Sequence, residues 1–151
     1  MKLLVTHEPN ADGSPTGWQL GYFFLRIMLG LNLFGHGFNR IVTGIGAWEQ
    51  PMAETFIGTY LPMPMVHAVL YTIPFVEFTL GLCLLLGIFT RWAVIGAALL
   101  MVLLMFGHTV RQTWTTVHVI MAYGIYCWML LVFEPQNWLA LDNKRCKNGA
   151  A

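Results

Sequence analysis

The sequence predicts an all-α fold, an integral membrane four-helix bundle, and three observations carry that prediction. Of the 151 residues, 57% are hydrophobic and only 10% are charged, and the mean hydropathy is +0.63. A soluble domain of this size is rarely so apolar, so lipid is the expected solvent. Four apolar runs, 18–41, 66–88, 92–110 and 117–133, are each close to the ~20 residues that cross a hydrocarbon core. Runs rich in Leu, Met and Gly satisfy their backbone hydrogen bonds in lipid as helices rather than barrel strands. Residues 1–151 are therefore expected to form one transmembrane domain.

The stretch before the first span carries Glu8, Pro9, Asp12, Gly13 and Pro15. It lacks the apolar core and small-residue cleavage site of a secretory signal, so it is expected to stay on the protein. The first connection, 44–65, is long. It holds Pro51, Pro62 and Pro64 around an apolar stripe of Met52, Phe56 and Tyr60 at i, i+4, i+8 spacing. That pattern predicts a short interfacial helix over the outer end of the bundle, with Glu49 and Glu54 left for water. The second and third spans meet at Thr90 and Arg91, and the third and fourth are separated by little more than 112–116. Both pairs must be tight antiparallel hairpins. Glu134 and Pro135 then end the last span, and a polar tail follows.

Lys2, Arg91, Lys144, Arg145 and Lys147 fall on the side of the termini, and Arg40 and Arg111 on the other. By the positive-inside rule both termini are cytoplasmic, which in a bacterium makes this a multi-pass protein of the inner membrane. Trp18, Trp92 and Trp138 would mark the cytoplasmic interface, and Trp48 and Trp114 the outer one. Cys83 and Cys127 lie within spans and Cys146 in the tail, so no disulfide is expected. A net charge of +1 without interleaved basic and aromatic residues argues against nucleic acid as a partner. No HExxH, paired CxxC or phosphate loop is present, so no metal site or catalytic residue is assigned.

Ionisable residues inside spans are costly in lipid and mark a functional interior. Arg26 and Glu77 are two such residues. Counted from the ends of their runs, their depths differ by roughly 5 Å, which predicts a buried ion pair between the first and second spans. Pro74, one turn before Glu77, frees a backbone carbonyl and could open space there. A second group gathers at the outer end, where the alternating directions of the spans bring His36, His67, His108 and His118. Arg40 and Arg111 arrive at the same level. Phe34, Gly35 and His36 recur as Phe106, Gly107 and His108, each followed by an arginine, a faint internal repeat.

This outer mouth fits two cofactors. Imidazole and guanidinium donors suit the carbonyls of a quinone head group, with its isoprenoid tail in a lipid-facing groove. Two histidines on facing helices could instead ligate a haem. His36, Arg40, His108, Arg111 and His118 are the candidate binding residues. His67, at the start of the second span, is nearer the water. The bland alternative is that histidines near helix ends simply reach interfacial water.

Two stretches, FLRIMLGLNLFGHGFNRI at 24–41 and FVEFTLGLCLLLGIFTRWA at 75–93, resemble the DoxX-like membrane proteins, a family that includes the DoxD-type subunit of thiosulfate:quinone oxidoreductase. The matching positions are Arg26, Gly30, His36, Gly37 and Arg40, where a lysine is expected, then Glu77, Gly81, Gly87, Thr90 and Arg91. The third and fourth spans match in hydropathy only. The resemblance implies a small subunit in quinone-linked redox or sulfur metabolism, working beside a protein partner or as a homo-oligomer in the bilayer. It supplies no catalytic residues. Two functions follow: a quinone-interacting redox subunit that passes electrons from an outer-side donor to the quinone pool, or a non-catalytic accessory subunit of a larger membrane complex. A small transporter would explain the buried charges but lacks the interrupted-helix pairs usual for such machines.

Overall fold

A computed structural model describes residues 14–137 and 139–141. Lys2, Trp138, Lys144, Arg145, Cys146 and Lys147, which bear on the predicted orientation, interface and thiol chemistry, lie outside the described residues. Among the described residues the fold is all helical: α1 (Gly17–Val42), α2 (Ile45–Glu54), α3 (Met63–Leu86), α4 (Thr90–Val110), α5 (Trp114–Val132) and a 3-10 turn (Glu134–Gln136). Three of them, α3, α4 and α5, are long and apolar enough to cross a membrane. α1 has the length, at 26 residues, but Arg26, Asn32, His36 and Arg40 interrupt its apolar sequence.

α1 opens with a capping box. The Gln19 amide donates to Thr16 Oγ1, and the Thr16 amide donates to Gln19 Oε1, which satisfies two donors that a helix start leaves open. α3 carries Pro64 in its first turn, where the missing N–H costs nothing. It ends at Leu86 because Gly87 adopts the left-handed conformation, φ 67°, which a glycine reaches without steric cost. The bend into α4 therefore occupies 87–89, and Thr90, expected within it, is the first residue of α4 and is buried.

The closest packing is between antiparallel α1 and α3, and glycines set its register. A Cβ on Gly37 would lie 2.4 Å from Phe78 N, and one on Gly81 would lie 2.3 Å from Phe34 N. The two backbones touch at both points. Gly30 faces Leu84 and Leu85 in the same way. Since Gly30 already reaches the end of α3, the thirteen residues from Gly17 to Leu29 project beyond it by ~20 Å. That overhang meets the end of α5: Trp18 stacks on Phe133 with centroids 5.6 Å apart. α4 packs along α5, and α2 lies chiefly against α3.

α2 corrects the expected stripe. The helix stops at Glu54, so Tyr60 lies beyond it and is exposed, while Phe56 is buried. Glu49 is buried rather than left for water and is paired with His67 Nδ1 of α3. The face carrying Glu49 and Ala53 is pressed inward, and a carboxylate placed there needs a partner.

Candidate functional site

The register of α1 and α3 decides which charges meet. Arg26 and Glu77 do not pair. Arg26, 1% exposed, donates from Nη1 to Leu84 O and from Nη2 to Leu139 O, both at 2.6 Å. Leu84 lies seven residues beyond Glu77 on α3, about 10 Å along the axis. The overhang of α1, invisible when depth is counted from the ends of the apolar runs, moves Arg26 away from Glu77. Its guanidinium instead bonds a carbonyl in the last turn of α3, where the helix dipole favours a cation. Glu77 takes Arg40, which donates from Nη1 to Oε2 at 2.5 Å, and the side chains are 19% and 4% exposed.

Above this pair is a cavity of about 310 Å³ whose walls come from all five helices. His36 and Arg40 of α1, Glu77 of α3, His108 of α4 and the adjoining Arg111 all line it. Of the candidate binding residues, these four basic side chains share one space and His118 does not. His118 follows the buried Val117 on α5 and is exposed on the outer face of that helix. His67 is held by Glu49, outside the cavity lining.

α2 and the turn after it bring apolar and aromatic cover to both arginines. The Arg40 guanidinium carbon is 4.1 Å from the centre of the Trp48 ring, within cation–π range. That of Arg111 is 5.3 Å from the Phe56 ring, and its Nη1 is 3.1 Å from Met52 Sδ. Asn32 Nδ2 donates to the Tyr123 hydroxyl at 3.0 Å, tying α1 to α5 along the cavity wall. The rest of the lining is almost wholly aliphatic, with Leu33, Val66, Leu70 and Ile73 among it.

Hydrogen bonding sets which ring nitrogen of His108 is open. The Thr113 hydroxyl lies 2.8 Å from His108 Nδ1 and 3.0 Å from His108 O, so Nδ1 is engaged within the fold and Nε2 is the ring nitrogen left for a ligand. The site thus holds an open imidazole nitrogen at His108, permanent donors at Arg40 and Arg111, and a carboxylate, all against apolar walls. In the sequence Trp48 and Met52 read as an interface marker and as part of an apolar stripe, not as cavity residues, and nothing in the spacing marks Asn32 and Tyr123.

Three apolar helices of spanning length, bent back on each other by short turns, define a multi-pass membrane protein whose outer helix faces contact the lipid bilayer. A family model, DoxX, matches residues 21–110, and the chain belongs to the DoxX family. The match runs through α4, beyond the two stretches that carry the motifs. No curated protein and no solved structure matches the chain.

Proposed function

We propose that α1 is a fourth span, that α2 caps the outer end of the resulting four-helix bundle, and that the protein is a quinone-interacting redox subunit passing electrons from an outer-side donor to the quinone pool. One observation carries this reading: His36, Arg40, His108 and Arg111, from two different helices, line a single apolar cavity. Its volume, about 310 Å³, is at the lower end for small-molecule sites. It suits one substituted ring better than a porphyrin, which makes a haem the poorer fit. Arg40 and Arg111 supply donors for a quinone carbonyl, and His108 Nε2 offers a further hydrogen-bonding atom to the head group. A quinone takes up two electrons and two protons on becoming a quinol, and His36 and Glu77 are groups at the cavity that exchange protons.

In this reading the protein sits in a bacterial inner membrane with both termini cytoplasmic. Arg40 and Arg111 are held by Glu77, Trp48, Met52 and Phe56. They serve the cavity rather than the outer loops, which sharpens the excess of positive charge on the terminal side. Electrons arrive from a donor, or from a protein partner or second copy of the chain, docked near α2. The accessory-subunit reading is favoured by a separate observation, that Arg26, Glu77 and Asn32 are all bonded within the fold.

In a variant with the other five tryptophans replaced by phenylalanine, Trp48 makes the test direct, because a quinone in the cavity quenches its fluorescence. Protein in lipid nanodiscs, titrated with a tailless benzoquinone, should show saturable quenching. His36→Ala and His108→Ala should each weaken binding by about tenfold, the value of one hydrogen bond of ~1.4 kcal/mol, and His118→Ala should leave it unchanged. Quenching that never saturates, or that all three changes leave alone, would refute the quinone site and leave the accessory role.

A further inference from the structure

A second hollow adjoins the first. Between α3 and α4 runs a groove of about 500 Å³, walled by Ala68, Thr72 and Leu80 on one side and Gly96 and Leu99 on the other. It shares Val69, Ile73 and Leu103 with the polar cavity, so the two lie side by side against the same three side chains. α3 and α4 are joined by a three-residue bend, yet they pack far less closely than α1 with α3 or α4 with α5. The small side chains of Ala68 and Thr72 leave the interval open, and at its far end the Leu80 side chain packs over Gly96. Its chemistry is hydrocarbon throughout, since the Thr72 hydroxyl donates to Ala68 O at 2.8 Å within its own helix and has no proton left to offer a ligand. Ala68 to Leu80 spans about 18 Å of helix, more than half of a ~30 Å hydrocarbon core.

We infer that the ligand of the polar cavity is an amphiphile whose apolar tail lies in the α3–α4 groove. This rests on the quinone reading above and extends it from a ring to a tailed quinone. The adjacency of the two spaces across Val69, Ile73 and Leu103 favours a tail over a separate lipid chain or a second copy of the protein. The polar head must leave its tail somewhere, and the groove is the apolar exit that shares the cavity's wall. Moving a tail from lipid into this groove gains little from the hydrophobic effect, because lipid is equally apolar; the gain is in packing.

The probe is a benzoquinone with a ten-carbon chain ending in a photoreactive diazirine, and its tailless parent serves as competitor, both in nanodiscs. Irradiation should label Val76, Leu80 or Leu99, and excess tailless quinone should abolish the labelling. Thr72→Phe, which fills the groove beside the junction, should cut that labelling by about tenfold while tailless binding, read by Trp48 quenching, stays within about twofold. Labelling spread evenly over the lipid-facing helices, with tailless binding intact, overturns the tail route and leaves the quinone site standing. Groove labelling that the tailless ring cannot compete away also overturns it, because a chain would then bind there without its head. Loss of tailless binding in the unmodified protein removes both.

Discussion

Replacing either member of the Arg40–Glu77 pair tests the register of the fold as well as its energetics. Breaking a buried ion pair by removing one partner costs about 3–5 kcal/mol, because the other charge stays behind without compensation. The two halves differ here. Glu77→Gln leaves a guanidinium that is 19% exposed and still stacked on Trp48, which sets the loss near the lower limit, about 3 kcal/mol. Arg40→Met leaves a carboxylate only 4% exposed, near the upper limit of about 5 kcal/mol. The double change should recover roughly 2–3 kcal/mol of the summed loss, the coupling between the two side chains. Arg26→Met combined with Glu77→Gln should instead be additive within about 0.5 kcal/mol, because the groups Arg26 binds are about 10 Å away. Reversible unfolding in detergent micelles, with all single and double variants, reads these values. Coupling between Arg26 and Glu77 with additivity between Arg40 and Glu77 would refute the register of α1 on α3.

The glycines at the α1–α3 crossing should be intolerant. Gly37→Ala and Gly81→Ala push a methyl group onto backbone atoms at 2.4 Å and 2.3 Å and should each cost about 3 kcal/mol or more, whereas Gly35→Ala, with nothing within 4 Å, should change melting by less than about 0.5 kcal/mol. Arg26→Met should cost about 3 kcal/mol by stripping a charged donor from two carbonyls. Arg26→Lys should restore less than half, since one ammonium lacks the fork that reaches both Leu84 and Leu139, and limited proteolysis should cut faster after Gln136 in both. A topology reporter fused after Ala151 should read cytoplasmic, and one inserted at Gly58, in the exposed turn after α2, should read external. The reverse pattern would place the cavity at the inner surface.

Hydropathy made the long helices legible, and turn chemistry most of their ends, because apolar length and Gly87 act locally. Register is not local. Counted from the ends of the apolar runs, Arg26 and Glu77 share a level, but the ends of α1 and α3 are not level with each other. The signal that fixes the offset was present in the sequence as Gly30, Gly37 and Gly81, which read as motif positions rather than as points where two backbones touch. Aligning Gly37 with Phe78 and Gly81 with Phe34 puts Arg40 beside Glu77. His118 shows the second limit: depth along a helix follows from its sequence number, whereas the face follows from which neighbours are buried. Val117 and Ile120 take the inward face of α5, and His118 is left outside at the right height on the wrong side. His36 and His108 reach the cavity because both criteria hold for them. Glu49 escaped both, since an acid off the apolar stripe of a predicted interfacial helix reads as solvated until that helix is seen to press the Glu49 face onto His67. The charges that build this cavity are therefore placed by backbone contact between helices, so substitutions at Gly37 and Gly81 should disturb the ligand site although neither residue touches it.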